Sequence, residues 1–184
     1  IGRCPLEFQP GERWKYGVSA DILAAVVEKA SGMKYGEFLK KELFVPLGMK
    51  DTAFYVPSEK WNRFSKLYMP TEDGISLYEG NHLGITDYKA PPAFESGGAG
   101  LVSTIGDYMQ FTRMLLNGGE LDGVRILSEN TVSFMTQNHM TDQQYYSMQY
   151  GSTKGYGYGS FMRVLKSTAL ATTNGDEGEY GWDG

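Results

Sequence analysis

The chain predicts an α+β fold, and three observations carry that expectation. Apolar residues recur at helical spacing in the first two thirds, whereas alternation of small and large residues with high aromatic content is confined to the last third. Helix and strand signals are thus segregated rather than alternating as βαβ units. At 184 residues, 41% hydrophobic and 14% aromatic, the chain is long enough to bury one sizeable core, and we expect a single partial domain over 1–184.

Taken in order, Pro10-Gly11-Glu12-Arg13-Trp14-Lys15-Tyr16-Gly17-Val18-Ser19 leads into the first helix, which Ser19 or Gly17 can open. Ile22, Leu23, Val26, Val27 and Ala30 give it one apolar stripe, and Gly32 ends it. A second helix is predicted over Tyr35 to Phe44, with Phe38, Leu39 and Leu43 inward and Pro46 and Gly48 closing it. Asp51 to Val56 and Phe64 to Met69 read as short extended pieces. Pro70 to Ser96 reads as a turn-rich excursion punctuated by Asp73-Gly74, Glu79-Gly80-Asn81 and Pro91-Pro92.

Glu95-Ser96-Gly97-Gly98-Ala99-Gly100 lacks the Gly-Lys-Ser/Thr of a phosphate cradle, so it is read as a tight backbone passage. Beyond it, Thr104 is the expected N-cap of a strongly buried helix, with Asp107 placed to reach back to the cap amide. Ile105, Tyr108, Met109, Phe111, Met114, Leu115 and Leu116 form its apolar face, and Asn117-Gly118-Gly119 stops it. Leu121-Asp122-Gly123-Val124 is a turn between short strands, and Ser128 caps a helix through about Gln137. Thr141 to Lys154 reads as a polar, tyrosine-rich loop. Tyr156 to Val164 reads as a strand, Ala169 to Gly178 as a loop, and Glu179 to Trp182 as the start of another strand.

Several functions are excluded at this level. A net charge of -5 without a Lys/Arg block gives no nucleic-acid surface, and no apolar run is long enough for a transmembrane segment. The single Cys4 has no internal disulfide partner and no Cys/His neighbours at metal spacing, and no cofactor is expected. His82 and His139 lie far apart on polar stretches and do not suggest a histidine triad.

A serine hydrolase without a histidine base can use a lysine or tyrosine instead. The one Ser-x-x-Lys, Ser31-Gly32-Met33-Lys34, spans the expected helix end, so its serine and lysine would not share a helical face. Tyr16 stands where an irregular segment meets a helix, a position from which a phenol can point into a cleft, although a tyrosine beside a turn is usually a packed aromatic.

The run Pro10-Gly11 to Tyr16, then Ala30-Ser31-Gly32, Pro46-Leu47-Gly48-Met49-Lys50-Asp51-Thr52, Gly97 to Thr104 with Asp107, and Leu115-Leu116-Asn117-Gly118-Gly119 resembles the β-lactamase-related serine hydrolases. That superfamily includes class C β-lactamases, DD-peptidases, D-aminopeptidases and family VIII carboxylesterases. The resemblance implies a β-lactamase/transpeptidase-like fold with a helical region and part of an antiparallel sheet. It implies that the nucleophilic Ser-x-x-Lys lies upstream, outside these residues, and that Tyr16 is the second-motif tyrosine that helps move the serine proton. It also makes Trp182-Asp183-Gly184 the third motif, with Val18, Trp182 and Gly184 lining the substrate site and an amide beyond Gly184 completing the oxyanion hole.

Two departures narrow the expected substrate. Many lactamases and peptidases carry Asn two residues after the tyrosine; Val18 stands there and cannot make the same hydrogen bonds. Trp182 replaces a third-motif lysine that could hold a carboxylate. Both resemble the carboxylesterase branch, so the expectation is acyl-enzyme hydrolysis of a small ester or amide, with β-lactams and cell-wall peptides as further candidates. These 184 residues are expected to be inactive alone and, through exposed edges, to favour homo-oligomers. The alternative is a non-catalytic member that binds cell-wall peptide or glycan. The compartment is left open.

Overall fold

The computed structural model describes residues 3–78 and 88–183. Its chain divides into two compact units, Asp21–Thr112 and the pair of segments Ile1–Ala20 with Arg113–Gly184. The divisions fall within the first and third α-helices. The architecture is α+β, with five α-helices and three small antiparallel sheets among the described residues.

Helix α1 spans Ser19–Ser31 and ends where Gly32 turns left-handed at φ 69°, its amide donating to Glu28 O at 2.9 Å. Its stripe is largely uncovered: Ile22, Leu23 and Val26 are exposed, and Ala24 is the buried position. Helix α2, Tyr35–Leu39, runs on as a π-helical turn over Lys40–Phe44. Phe38, Leu39 and Leu43 are half-buried and Phe44 is buried, which bears out the inward face read from their spacing. Phe44, Leu47, Met49, Phe54 and Val56 form the apolar interior of this unit.

The segment 51–56 is extended at one point, where Ala53 bridges Val102. A 3-10 turn, Ser58–Arg63, follows. The excursion expected from Pro70 contains a hairpin instead: β1, Tyr68–Thr71, pairs with β2, Gly74–Leu77, around Glu72-Asp73. Both strands are exposed on both faces, so burial supplied no alternation by which to recognise them. Glu79-Gly80-Asn81 and His82 lie outside the described residues. At the glycine run, the Ser96 hydroxyl accepts the amides of Gly98 and Ala99, forming the tight passage expected there.

Helix α3 spans Ile105–Leu116, and Thr104 caps it by accepting the Asp107 amide at 3.1 Å. It is not strongly buried along its length. Ile105, Tyr108, Met109 and Leu116 are exposed, whereas Asp107, Met114 and Leu115 are buried. Nor does the Asp107 carboxylate reach back to the cap: it accepts the Asp51 amide at 2.7 Å and the Thr52 hydroxyl at 2.8 Å. Two buried or half-buried donors in one place outcompete one cap amide.

In the other unit, Gly118 and Gly119 stop α3 with φ of 65° and 93°, and a side chain at Gly119 would meet Leu127 O at 2.2 Å. Strands β3, Glu120–Leu121, and β4, Val124–Arg125, close around Asp122-Gly123, both left-handed. Ser128 caps α4, Glu129–Met135, by accepting Thr131 N. The loop expected over Thr141 to Lys154 holds a helix, α5, Asp142–Met148, opened by a reciprocal capping box between Thr141 and Gln144. The strand expected over Tyr156 to Val164 is two: β5, Tyr156–Tyr158, and β6, Arg163–Leu165, with Phe161 left-handed at the turn. Strand β7, Tyr180–Gly181, completes the sheet in the order β5-β6-β7. Met148, Tyr156 and Leu165 are the centre of this core, with Trp14, Tyr158 and Trp182 packed against it.

Candidate functional site

The approach to Tyr16 is pinned from both sides of a turn. Gly11, left-handed at φ 89°, presents its carbonyl to Gln144 Nε2 at 2.7 Å, and the Trp14 amide donates to Ser147 Oγ at 2.8 Å. Both partners lie on α5, so this helix fixes the strap that carries Trp14. Tyr16 follows two residues later, 63% exposed, just before α1. Its ring stacks on the Trp182 indole with centroids 5.7 Å apart and planes 12° apart.

Trp182 is itself held by rings. It meets Tyr158 in a T-shaped pair at 5.6 Å and 88°, and Trp14 lies 6.2 Å away. Trp14 meets Tyr158 at 5.4 Å and Tyr150 at 6.2 Å. The result is a continuous aromatic wall with the Tyr16 phenol on its open side. Burial, and secondarily charge on Tyr16, push the Tyr158 phenol up, so Tyr158 holds its proton through neutral pH and serves as a ring rather than a base.

The structure therefore brings together Tyr16 and Trp182, which stand at opposite ends of the sequence. Val18 is half-exposed, two residues after Tyr16 and just before α1. Gly184 lies outside the described residues. Ser31 ends α1 with its hydroxyl accepting the Met33 amide at 3.2 Å, and Lys34 follows the left-handed Gly32 in extended conformation. That Ser-x-x-Lys is a helix terminus, as its spacing predicted. Cys4 is exposed and unpaired, and His139 stacks on Phe134 while meeting its carbonyl at 2.5 Å.

Sequence reasoning missed Tyr158 and the pair Arg163–Asp183, whose Nη1 and Oδ2 lie 2.8 Å apart. No local spacing announces an ion pair closed across a sheet. The signal available was a lone arginine in a short aromatic strand and an acid inside the Trp-x-Gly run.

A second polar centre belongs to the unit Asp21–Thr112. Asp51 receives Lys60 Nζ at 2.6 Å and Arg63 Nη2 at 2.8 Å, while its amide is held by Asp107. Hydrogen bonds from Arg63 and then Lys60 bring the Asp51 carboxyl down to about 2. Every charge there is answered, which marks it as scaffold.

A strap, an exposed phenol and a tryptophan at a sheet end make up the candidate site on an α+β frame. The family described as Beta-lactamase matches residues 1–184, and the chain belongs to that family. Esterase EstB of Burkholderia gladioli is 27% identical over 197 residues, covering 100% of this chain and 47% of its own. A putative D-alanyl-D-alanine carboxypeptidase of Escherichia coli O157:H7 is 30% identical over 204 residues, covering 100% and 44%. The solved structure of EstCE1, a hydrolase with promiscuous acyltransferase activity, superposes with TM-score 0.77 at 24% identity, covering 95% of this chain and 46% of that one. The likeness shows a β-lactamase/transpeptidase-like fold. The chain spans about half the length of the curated relatives it matches. Among the described residues, no helix is long and apolar enough to cross a membrane.

Proposed function

We propose that this chain is the central to C-terminal part of a longer serine hydrolase that acts through an acyl-enzyme on a neutral or weakly anionic ester or amide. The observation that carries the reading is the stack of Tyr16 on Trp182: two residues matched to different motifs by resemblance meet face to face, with the phenol exposed. A serine supplied from outside these 184 residues attacks the substrate carbonyl. Tyr16 helps take its proton and return one to the leaving group, so that water can then release the acyl group. Trp182 and Val18 line the substrate site. A hydrocarbon at Val18 favours an ester over a substrate that needs an amide partner there, which agrees with the esterase among the relatives.

The test is Tyr16→Phe in the full-length protein, assayed on p-nitrophenyl esters and nitrocefin. Turnover should fall by about 10²–10⁴-fold with little change in KM; unchanged turnover overturns the role of Tyr16. The 184-residue chain by itself should turn over neither substrate, and activity from it would place the nucleophile inside these residues. Absence of Ser-x-x-Lys from the upstream sequence would favour a non-catalytic binder of cell-wall peptide or glycan. Uncovered Ile22, Leu23 and Val26 on α1 should also drive self-association of the isolated chain; a strict monomer at high concentration in light scattering would count against this.

A further inference from the structure

We propose that Arg163 is a positioning residue for the site: acting through Asp183, it fixes the backbone that carries Trp182 and hence the stacking surface for Tyr16. The inference rests on the hydrolase reading above and adds residues which that reading did not use.

The need for such a residue follows from the length of β7. Its ladder is two residues long, Arg163 opposite Gly181 and Val164 opposite Tyr180, and it stops one residue short of Trp182. A strand end this short frays unless a side chain ties it down. Asp183, the residue after Trp182, supplies that tie by accepting Arg163 Nη1 at 2.8 Å. Trp182 is therefore held between a backbone pair on one side and an ion pair on the other, both to Arg163.

Arg163 is itself firmly placed. It sits on the central strand of the sheet, opposite Tyr158 on β5 as well as Gly181 on β7. Its side chain is 13% exposed, against 61% for Asp183, so the guanidinium is the fixed partner and the carboxylate the one that is captured. The guanidinium carbon lies 4.6 Å from the centroid of the Tyr156 ring. That ring is fully buried, and its hydroxyl meets Thr173 Oγ1 at 2.8 Å and Glu179 Oε1 at 3.1 Å. Position thus passes from the buried Tyr156 to the planar face of Arg163, then through its edge to Asp183. A lysine could keep the charge but not the flat face.

The test uses the full-length protein with 5-fluorotryptophan incorporated, the Trp182 fluorine resonance being assigned by its loss in Trp182→Phe. Asp183→Asn, isosteric and exposed, is the variant least able to disturb folding, and Arg163→Met is the second. Each should shift or broaden the Trp182 resonance while leaving that of Trp61 in place. On a p-nitrophenyl ester each should lower kcat by about tenfold with KM held within about twofold, since alignment rather than binding is lost. The double variant should be no worse than Arg163→Met alone. An unmoved Trp182 resonance in Asp183→Asn, a kcat that stays at the parent value, or losses that add in the double variant overturn the proposal. Failure of the hydrolase reading looks different: the full-length parent then turns over no p-nitrophenyl ester, whereas the fluorine shifts caused by Arg163→Met and Asp183→Asn persist.

Discussion

The centres around Asp51 and around Tyr16 are built on opposite principles. Around Asp51, position is fixed by charge: one carboxylate bonded to Lys60 and Arg63, and a second, Asp107, closing on the Asp51 amide and the Thr52 hydroxyl. Around Tyr16, position is fixed by rings, with Trp14, Tyr158 and Trp182 forming the wall on which the phenol lies. A charged network satisfies its own members and leaves no group to spare. A ring wall holds a phenol in place through its faces and leaves its hydroxyl open to a reacting partner. The difference is that the first is a closed network and the second leaves an exposed phenol.

The largest effect that separates them should come from removing a ring. Trp182→Ala takes away the surface under Tyr16 and an edge of the core around Tyr156, and should cost about 2–3 kcal/mol in urea unfolding, less than a fully buried tryptophan because Trp182 is half-exposed. Added salt should leave that loss unchanged. Asp107→Ala should cost about 1–3 kcal/mol, because the Thr52 hydroxyl and the Asp51 amide lose their acceptor together. A loss below about 0.5 kcal/mol would mean that water replaces the carboxylate easily.

Acid should distinguish the regions next. The Asp51 carboxyl is lowered from 3.8 to about 2 by hydrogen bonds from Arg63 and Lys60. A lowered folded-state value means a contribution to stability that is present above 3.8 and lost as pH falls through about 2. Asp51→Asn should therefore flatten the acid limb of stability against pH, and should leave the Tyr16–Trp182 stack untouched. An identical acid limb in the variant would show that the pair contributes nothing in solution, as many exposed ion pairs do not.

Much of this arrangement was legible in the sequence where the signal is local. Gly32, Gly48 and Gly118-Gly119 end helices as their position predicts, Asp122-Gly123 turns the β3–β4 hairpin, and Thr104 and Ser128 cap. Helix α5 was legible too, since Thr141 and Gln144 stand at capping-box spacing, but its polar, tyrosine-rich face hid the helical period. The β1–β2 hairpin was not, because neither strand buries a face. Nor was the exposure of α1 and α3, for an apolar stripe records what a helix can bury and not what stands opposite it. For the candidate site, Tyr16 and Trp182 were singled out separately by resemblance. That they stack, and that Tyr158 and Arg163 support the stack, depends on pairings closed across a sheet, which leave no spacing to read.

Alkali should blur the contrast that acid sharpens, and by a small amount. Each region contains a phenol pushed up mainly by burial, Tyr35 in one and Tyr158 in the other, the latter also by charge on Tyr16. A raised folded-state value means that stability is fully present below the ordinary 10.0 and is lost as pH climbs past it, because the unfolded chain gives up these protons first. Tyr158→Phe keeps the ring that meets Trp14 and Trp182 and removes only the ionisable hydroxyl. Near neutral pH it should change stability by less than about 0.5 kcal/mol, and above pH 10.0 it should lessen the alkaline loss without abolishing it, since the share of Tyr35 remains. Unfolding followed by circular dichroism from neutral to strongly alkaline pH measures both. A large loss at neutral pH would show that the Tyr158 hydroxyl, and not its ring, supports the wall, and the division between a region held by charge and one held by rings would fail at that residue.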